Sequence, residues 1–166
     1  SVIIAERDLE IETQVVVEDT HKAFATMSAN WFSNPAKDLK LIGVTGTNGK
    51  TTITYLIKSI LETAGKQVGI IGTNQNIIGD KVLLTKSTTP TTPNALELQQ
   101  LFNEMVHYGA DYVVMEVSSH ALELDRVYGC KYDVGVFTNL TQDHLDFHKT
   151  MENYLNAKAK LFAKSS

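Results

Sequence analysis

The chain has 166 residues, 43% hydrophobic and 20% charged, which suits one globular core with room for part of a second domain. Its net charge of -4 speaks against a broad nucleic-acid or membrane surface, and its single cysteine, Cys130, excludes an internal disulfide and a cysteine-based zinc site. No apolar run approaches the roughly 18 residues of a membrane span, and the opening "SVIIAERD" lacks the basic start of a signal peptide.

"SVIIAE" and "QVVVE" are short β-like runs separated by an acidic turn. "DTHKAFATMSANWF" has helical spacing through Phe24, Met27 and Trp31, with Asp19 placed as N-cap. "NPAKD" (residues 34–38) is the best linker candidate, and strand and helix patterns alternate after it. "LKLIGVT" reads as a buried strand. The next helix carries a stripe of Ile53, Leu56, Ile57, Ile60, Leu61 and Ala64, closed by Gly65. "KQVGIIGT" is a second buried strand, and "NIIGDKVLLT" a hairpin turning at Gly79-Asp80. Thr92-Pro93 reads as an N-cap and first helical residue, before a helix that buries Leu98, Leu101, Phe102 and Met105. "DYVVMEV" and "DVGVFTN" are two further buried strands, and "TMENYLNAKAKLFAK" is a final helix. Continuous apolar strands between amphipathic helices predict an α/β fold, a mostly parallel sheet with helices on both faces. With a strand-like run at its start and a helix at its end, the chain reads as a fragment of something longer.

The stretch "GVTGTNGKTT" (residues 43–52) lies between a strand and a helix, where glycines let backbone N–H groups approach phosphate oxygens. Gly46, Thr47, Asn48, Gly49, Lys50, Thr51 and Thr52 form the candidate loop. Lys50 can reach terminal phosphates, and the Thr51 hydroxyl can ligate magnesium. The usual spelling places glycine six residues before the lysine. Here Val44 stands there, flanked by Gly43 and Gly46. The bland alternative is a glycine turn with a solvated lysine.

Other stretches also present chemistry. Glu116 ends a buried strand, at the edge where α/β sheets bind ligands. By position alone it can cap a helix or form a salt bridge. Ser118, Ser119 and His120 lack a G-x-S-x-G elbow, which speaks against a serine hydrolase. Thr91 and Thr92 precede a helix, a place for an anionic substrate, and repeat Thr88-Thr89-Pro90. His144 and His148 stand four apart, which predicts one helical face, but no H-E-x-x-H accompanies them. Lys158 falls inside the apolar stripe of Met151, Tyr154, Leu155, Leu161 and Phe162, whereas Lys160 and Lys164 lie on the polar side with Asn153 and Asn156. By periodicity alone Lys158 reads as a lysine snorkelling past the core edge. Desolvation would alternatively leave it a neutral amine able to capture carbon dioxide.

"TGTNGKTT", "TTPTTPNALELQQL", "MEVSSHALELDRV", "FTNLTQDHLDFH" and "MENYLNAKAKLF" together resemble the Mur ligase family of peptidoglycan synthesis, over about residues 39–162. They are most like its member that adds a diamino acid, L-lysine or meso-diaminopimelate, to UDP-N-acetylmuramoyl-L-alanyl-D-glutamate. The resemblance implies a cytoplasmic, monomeric ATP- and magnesium-dependent ligase working through an acyl phosphate. Residues 1–38 would end a UDP-binding N-terminal domain, and residues 39–166 would begin the central ATP-binding domain. It further implies catalytic roles for Lys50, Glu116, His144 and Lys158. Thr51, Glu116, His144 and Lys158 would be metal ligands, the last as a carbamate. Thr91, Thr92 and Ser118 would contact the muramoyl dipeptide, and Arg126 would clamp a carboxylate. The rivals are a folylpolyglutamate- or cyanophycin-synthetase-like ligase, and a P-loop switch without ligase chemistry.

Overall fold

The computed structural model describes residues 1–83 and 91–163. The first threonine copy (Thr88-Thr89-Pro90), the end of the predicted hairpin and Lys164 lie outside the described residues.

The apolar runs become strands β3 (Lys40–Thr45), β4 (Val68–Ile71) and β7 (Tyr112–Glu116), following a small parallel pair, β1 (Ile3–Ala5) and β2 (Gln14–Val16). β5 (Asn76–Ile78) and β6 (Lys81–Leu83) form the expected hairpin, with Gly79 at φ +54° supplying the left-handed turn residue. β8 (Val134–Phe137) completes a six-stranded sheet of order β6-β5-β4-β7-β3-β8, in which β4, β7, β3 and β8 are parallel and the hairpin antiparallel. β8 is an edge strand with Val134 and Phe137 exposed, not the buried strand its composition predicts. Among the described residues it has a sheet neighbour on one side only.

Side chains alternate across the sheet. Leu41, Val113 and Met115 join one core with Leu98, Leu101, Phe102 and Met105 of helix α3 (Ala95–His107). Ile42, Val44 and Val114 join the opposite core with Ile53, Ile57 and Leu61 of helix α2 (Lys50–Thr63). The predicted α3 contacts are thus all buried. The α2 stripe is narrower than predicted, since Leu56 and Ile60 face solvent. Gly65, at φ +78°, ends α2.

Helix α1 (Thr20–Trp31) is capped by Asp19, whose side chain accepts from Lys22 N–H. It leans on α3 with Ala25 and Ser28 buried, so Phe24, Met27 and Trp31 point outward, opposite to the sequence expectation. Small residues permit the closer approach. The presumed linker is an ordered 3-10 turn, Pro35–Asp38, with Pro35 buried. Short helices α4 (Ser119–Glu123) and α5 (Leu145–His148) precede α6 (Met151–Ala163). The inward face of α6 is Tyr154, Ala157, Lys158 and Leu161, whereas Leu155 and Phe162 are exposed. Among the described residues, no helix is long and apolar enough to cross a membrane.

Candidate active site

Because β3, β4, β7 and β8 run in parallel, their C-terminal ends meet at one edge of the sheet, where α/β folds bind ligands. The glycine loop leaves β3 here and enters α2. Gly46 holds φ +142°, and a Cβ on it would lie 1.9 Å from Thr138 Oγ1. Gly49, at φ +83°, begins α2. The tip of β8 clamps the loop from the side: Thr47 N–H donates to Asn139 O at 2.9 Å, Asn48 N–H to Asn139 Oδ1 at 3.0 Å, and Thr138 Oγ1 to Asn48 O at 2.7 Å. Thr47 Oγ1 also lies 3.2 Å from the Tyr154 hydroxyl, tying the loop to α6. Asn48 and Thr52 are exposed.

Two ammonium groups meet inside this loop. Lys50 Nζ donates to Gly46 O at 3.0 Å and to Thr47 O at 2.9 Å. Lys158 Nζ reaches the same Gly46 O at 2.9 Å, and lies 4.4 Å from the centre of the Tyr154 ring. Lys158 is only 2% exposed, so it does not snorkel; its head group is turned inward onto a carbonyl. Burial, then the neighbouring Lys50 charge, pulls its pKa down from 10.5 to about 8. Burial also lowers the Lys50 pKa.

Glu116 is 1% exposed at the end of β7. Its Oε1 accepts from the Thr51 hydroxyl at 2.9 Å and from Thr73 N–H at 3.1 Å, and its Oε2 from the Thr73 hydroxyl at 3.0 Å. Its backbone carbonyl accepts from Thr92 Oγ1 at 2.9 Å, and Thr92 Oγ1 in turn accepts Ser118 N–H at 2.9 Å. Arg126 Nη1 donates to Thr92 O at 3.2 Å. Thr92, Ser118 and Arg126 therefore form one network around the end of β7. Thr92 is fully buried and does not cap α3. Asn94 does, accepting Glu97 N–H at 3.0 Å. Ser118 instead caps α4, accepting Ala121 N–H at 3.1 Å.

His144 and His148 do not share a helical face. His144 sits at φ 51° before α5, exposed, with Nε2 3.5 Å from Asp143 Oδ2. His148 is buried, its Nε2 2.9 Å from Ser119 Oγ, and burial lowers its pKa. Both rings nevertheless meet His120, with centroids 5.0 and 5.5 Å away. Sequence reading missed Thr73 and Asn139. Each is a single polar residue just past a strand end, and only the "IIGT" spelling, with glycine before the threonine, marks the first.

A mostly parallel sheet with a lysine-bearing glycine loop between β3 and α2 defines a P-loop α/β domain. Residues 44–166 match the model of the Mur ligase middle domain, and the chain belongs to that family. It is 61% identical over 153 residues to UDP-N-acetylmuramoyl-L-alanyl-D-glutamate--2,6-diaminopimelate ligase 1 of Clostridium acetobutylicum, covering 92% of this chain and 31% of the relative. A solved UDP-N-acetylmuramoyl-L-alanyl-D-glutamate--2,6-diaminopimelate ligase superposes with a TM-score of 0.85 at 34% identity, over 98% of this chain and 33% of that one. The Thermotoga maritima MurF ligase, solved in complex with ADP, shares the fold at a TM-score of 0.58 and 23% identity, over 99% of this chain and 34% of that one. The chain thus spans about a third of the length of the relatives it matches.

Proposed function

We propose that this chain is the nucleotide-binding part of an ATP-dependent amide ligase that joins 2,6-diaminopimelate to UDP-N-acetylmuramoyl-L-alanyl-D-glutamate in the cytoplasm. The observation that carries the reading is Glu116. Its carboxylate holds the glycine-loop residue Thr51, and its backbone carbonyl holds Thr92 of the Thr91–Thr92 loop, so one residue would join a nucleotide site to an acceptor site. The choice of diaminopimelate over lysine rests on the names of relatives such as the Clostridium acetobutylicum ligase. Residues 1–38 would close the uridine-binding domain, and residues 39–166 would open the ATP-binding one.

In the proposed reaction, the terminal phosphoryl group passes to the D-glutamyl side-chain carboxylate, giving an acyl phosphate. The amine of the diamino acid then attacks that carbonyl, and phosphate leaves. Backbone N–H groups of residues 46–51 would cradle the phosphates. Lys50 would exchange its carbonyl partners for phosphate oxygens, Arg126 would pair with a substrate carboxylate, and Thr91, Thr92 and Ser118 would order the acceptor loop. Thr51 and Glu116 are hard oxygen donors already in contact, which fits magnesium. Magnesium, when bound, would neutralise phosphate charge. Among the described residues no group of three or more His, Cys, Asp or Glu is arranged to hold a metal, so phosphate and water oxygens would fill the remaining positions. His144 would join from the α5 side. Lys158 would add an anion after its neutral amine takes up carbon dioxide and releases a proton to form a carbamate. The carbamate nitrogen keeps one N–H, so its bond to Gly46 O can persist.

The test is phosphate release by the full-length enzyme. Release that requires both the muramoyl dipeptide and diaminopimelate supports this reading. Release with folate or cyanophycin precursors, or with no acceptor, overturns it.

A further inference from the structure

We infer that Thr73 is a positioning residue that holds the Glu116 carboxylate in place and links it to the Thr91–Thr92 loop; the inference rests on the reading of Glu116 and Thr51 as a nucleotide–magnesium site. Thr73 follows β4, the strand beside β7, and contacts both oxygens of Glu116. Its N–H donates to Oε1 at 3.1 Å and its hydroxyl to Oε2 at 3.0 Å. Gly72 permits this approach, because a Cβ there would lie 2.4 Å from Glu116 Oε1.

The Thr73 hydroxyl has one proton and two acceptors within reach, Glu116 Oε2 at 3.0 Å and Thr91 Oγ1 at 3.1 Å, so it links the carboxylate to the Thr91–Thr92 loop. Thr51 donates to Oε1 of the same carboxylate. Because Glu116 takes the Thr51 proton, the Thr51 lone pairs are left for a cation. A carboxylate held by three donors has little rotational freedom. Without the Thr73 hydroxyl, Oε2 loses its only protein donor among the described contacts, and the side chain can turn away from Thr51. An acceptor that engages Thr91 would leave the Thr73 proton to Oε2 and so tighten the cation side.

The experiment is equilibrium binding of fluorescent ADP to the full-length enzyme, with and without magnesium, for the parent protein, Thr73→Val and Thr73→Ser. Valine keeps the shape and removes the hydroxyl; serine restores it. We expect Thr73→Val to weaken magnesium-dependent ADP binding by about tenfold, the loss of one hydrogen bond to a charged group, with magnesium-free binding unchanged and Thr73→Ser near the parent. Equal weakening with and without magnesium, or a serine variant as weak as valine, would assign Thr73 a merely structural role and overturn the inference. So would a valine variant that binds like the parent. If Thr73→Val does not fold, Thr73→Ala removes the same hydroxyl and is read by the same outcomes. A parent enzyme without magnesium-dependent ADP binding would instead overturn the underlying functional reading.

Discussion

Lys50 and Lys158 donate to one carbonyl oxygen, that of Gly46, at 3.0 and 2.9 Å. Two cations on one acceptor repel, and the more buried Lys158 yields, its pKa falling to about 8. Under the proposed function, an incoming polyphosphate would relieve this repulsion by drawing Lys50 away. This relationship leads to the first two expectations.

Lys158 should impose a pH dependence on stability. Below about 8 it is charged in the folded and unfolded chain alike, and burying the charge disfavours the fold. Between about 8 and 10.5 the unfolded chain retains a proton that the folded chain has released, so stability rises with pH across that window. Lys158→Met, of similar length and without charge, should flatten that rise. Urea unfolding of the full-length protein in bicarbonate-free buffer checks it, and parallel curves for both proteins would refute the buried amine.

Lys158→Ala should abolish ligation while the fold persists, and small carboxylic acids should partly restore it by replacing the carbamate. Near-normal turnover of this variant without bicarbonate would rule the carbamate out.

Lys50→Ala should cost nucleotide affinity on the order of 1.5–3 kcal/mol for each charge-assisted bond to phosphate that is lost. ADP titration of the full-length enzyme measures it. Unchanged affinity would reduce the loop to a turn.

Arg126→Ala and Thr92→Ala should raise the KM for the muramoyl dipeptide and leave that for ATP nearly unchanged. Thr92 also accepts Ser118 N–H, so its loss should disturb the α4 start as well. Steady-state kinetics with each substrate varied in turn separate the two, and equal effects on both would indicate a general folding defect.

Gly46→Ala should destabilise the fold by about 1–3 kcal/mol, the range for a residue held in a rare backbone region. Its Cβ would meet Thr138 Oγ1 at 1.9 Å, at a φ of +142° that L residues rarely adopt. Thermal unfolding of the full-length protein reads this directly.

Local chemistry alone determined much of this protein. The runs around Ile42, Ile70 and Val114 are apolar on both faces and can only be interior strands. Leu98, Leu101, Phe102 and Met105 repeat at helical spacing and are all buried. The place of the glycine loop between β3 and α2 was legible because an apolar run ends, glycines follow and a helical stripe begins within ten residues. Tertiary structure decided the rest. Leu56, Ile60, Phe24 and Trp31 fit helical stripes yet face solvent, because periodicity reports that a face is apolar, not whether a neighbour covers it. Thr92 looked like a cap and is a buried brace, since the partner of a hydroxyl is chosen by what lies across the sheet edge. Thr73 and Glu116 lie 43 positions apart, and Lys158 and Gly46 lie 112 apart. Such pairs form only where parallel strands end together, an arrangement set by strand order and register rather than by the residues on either side of each.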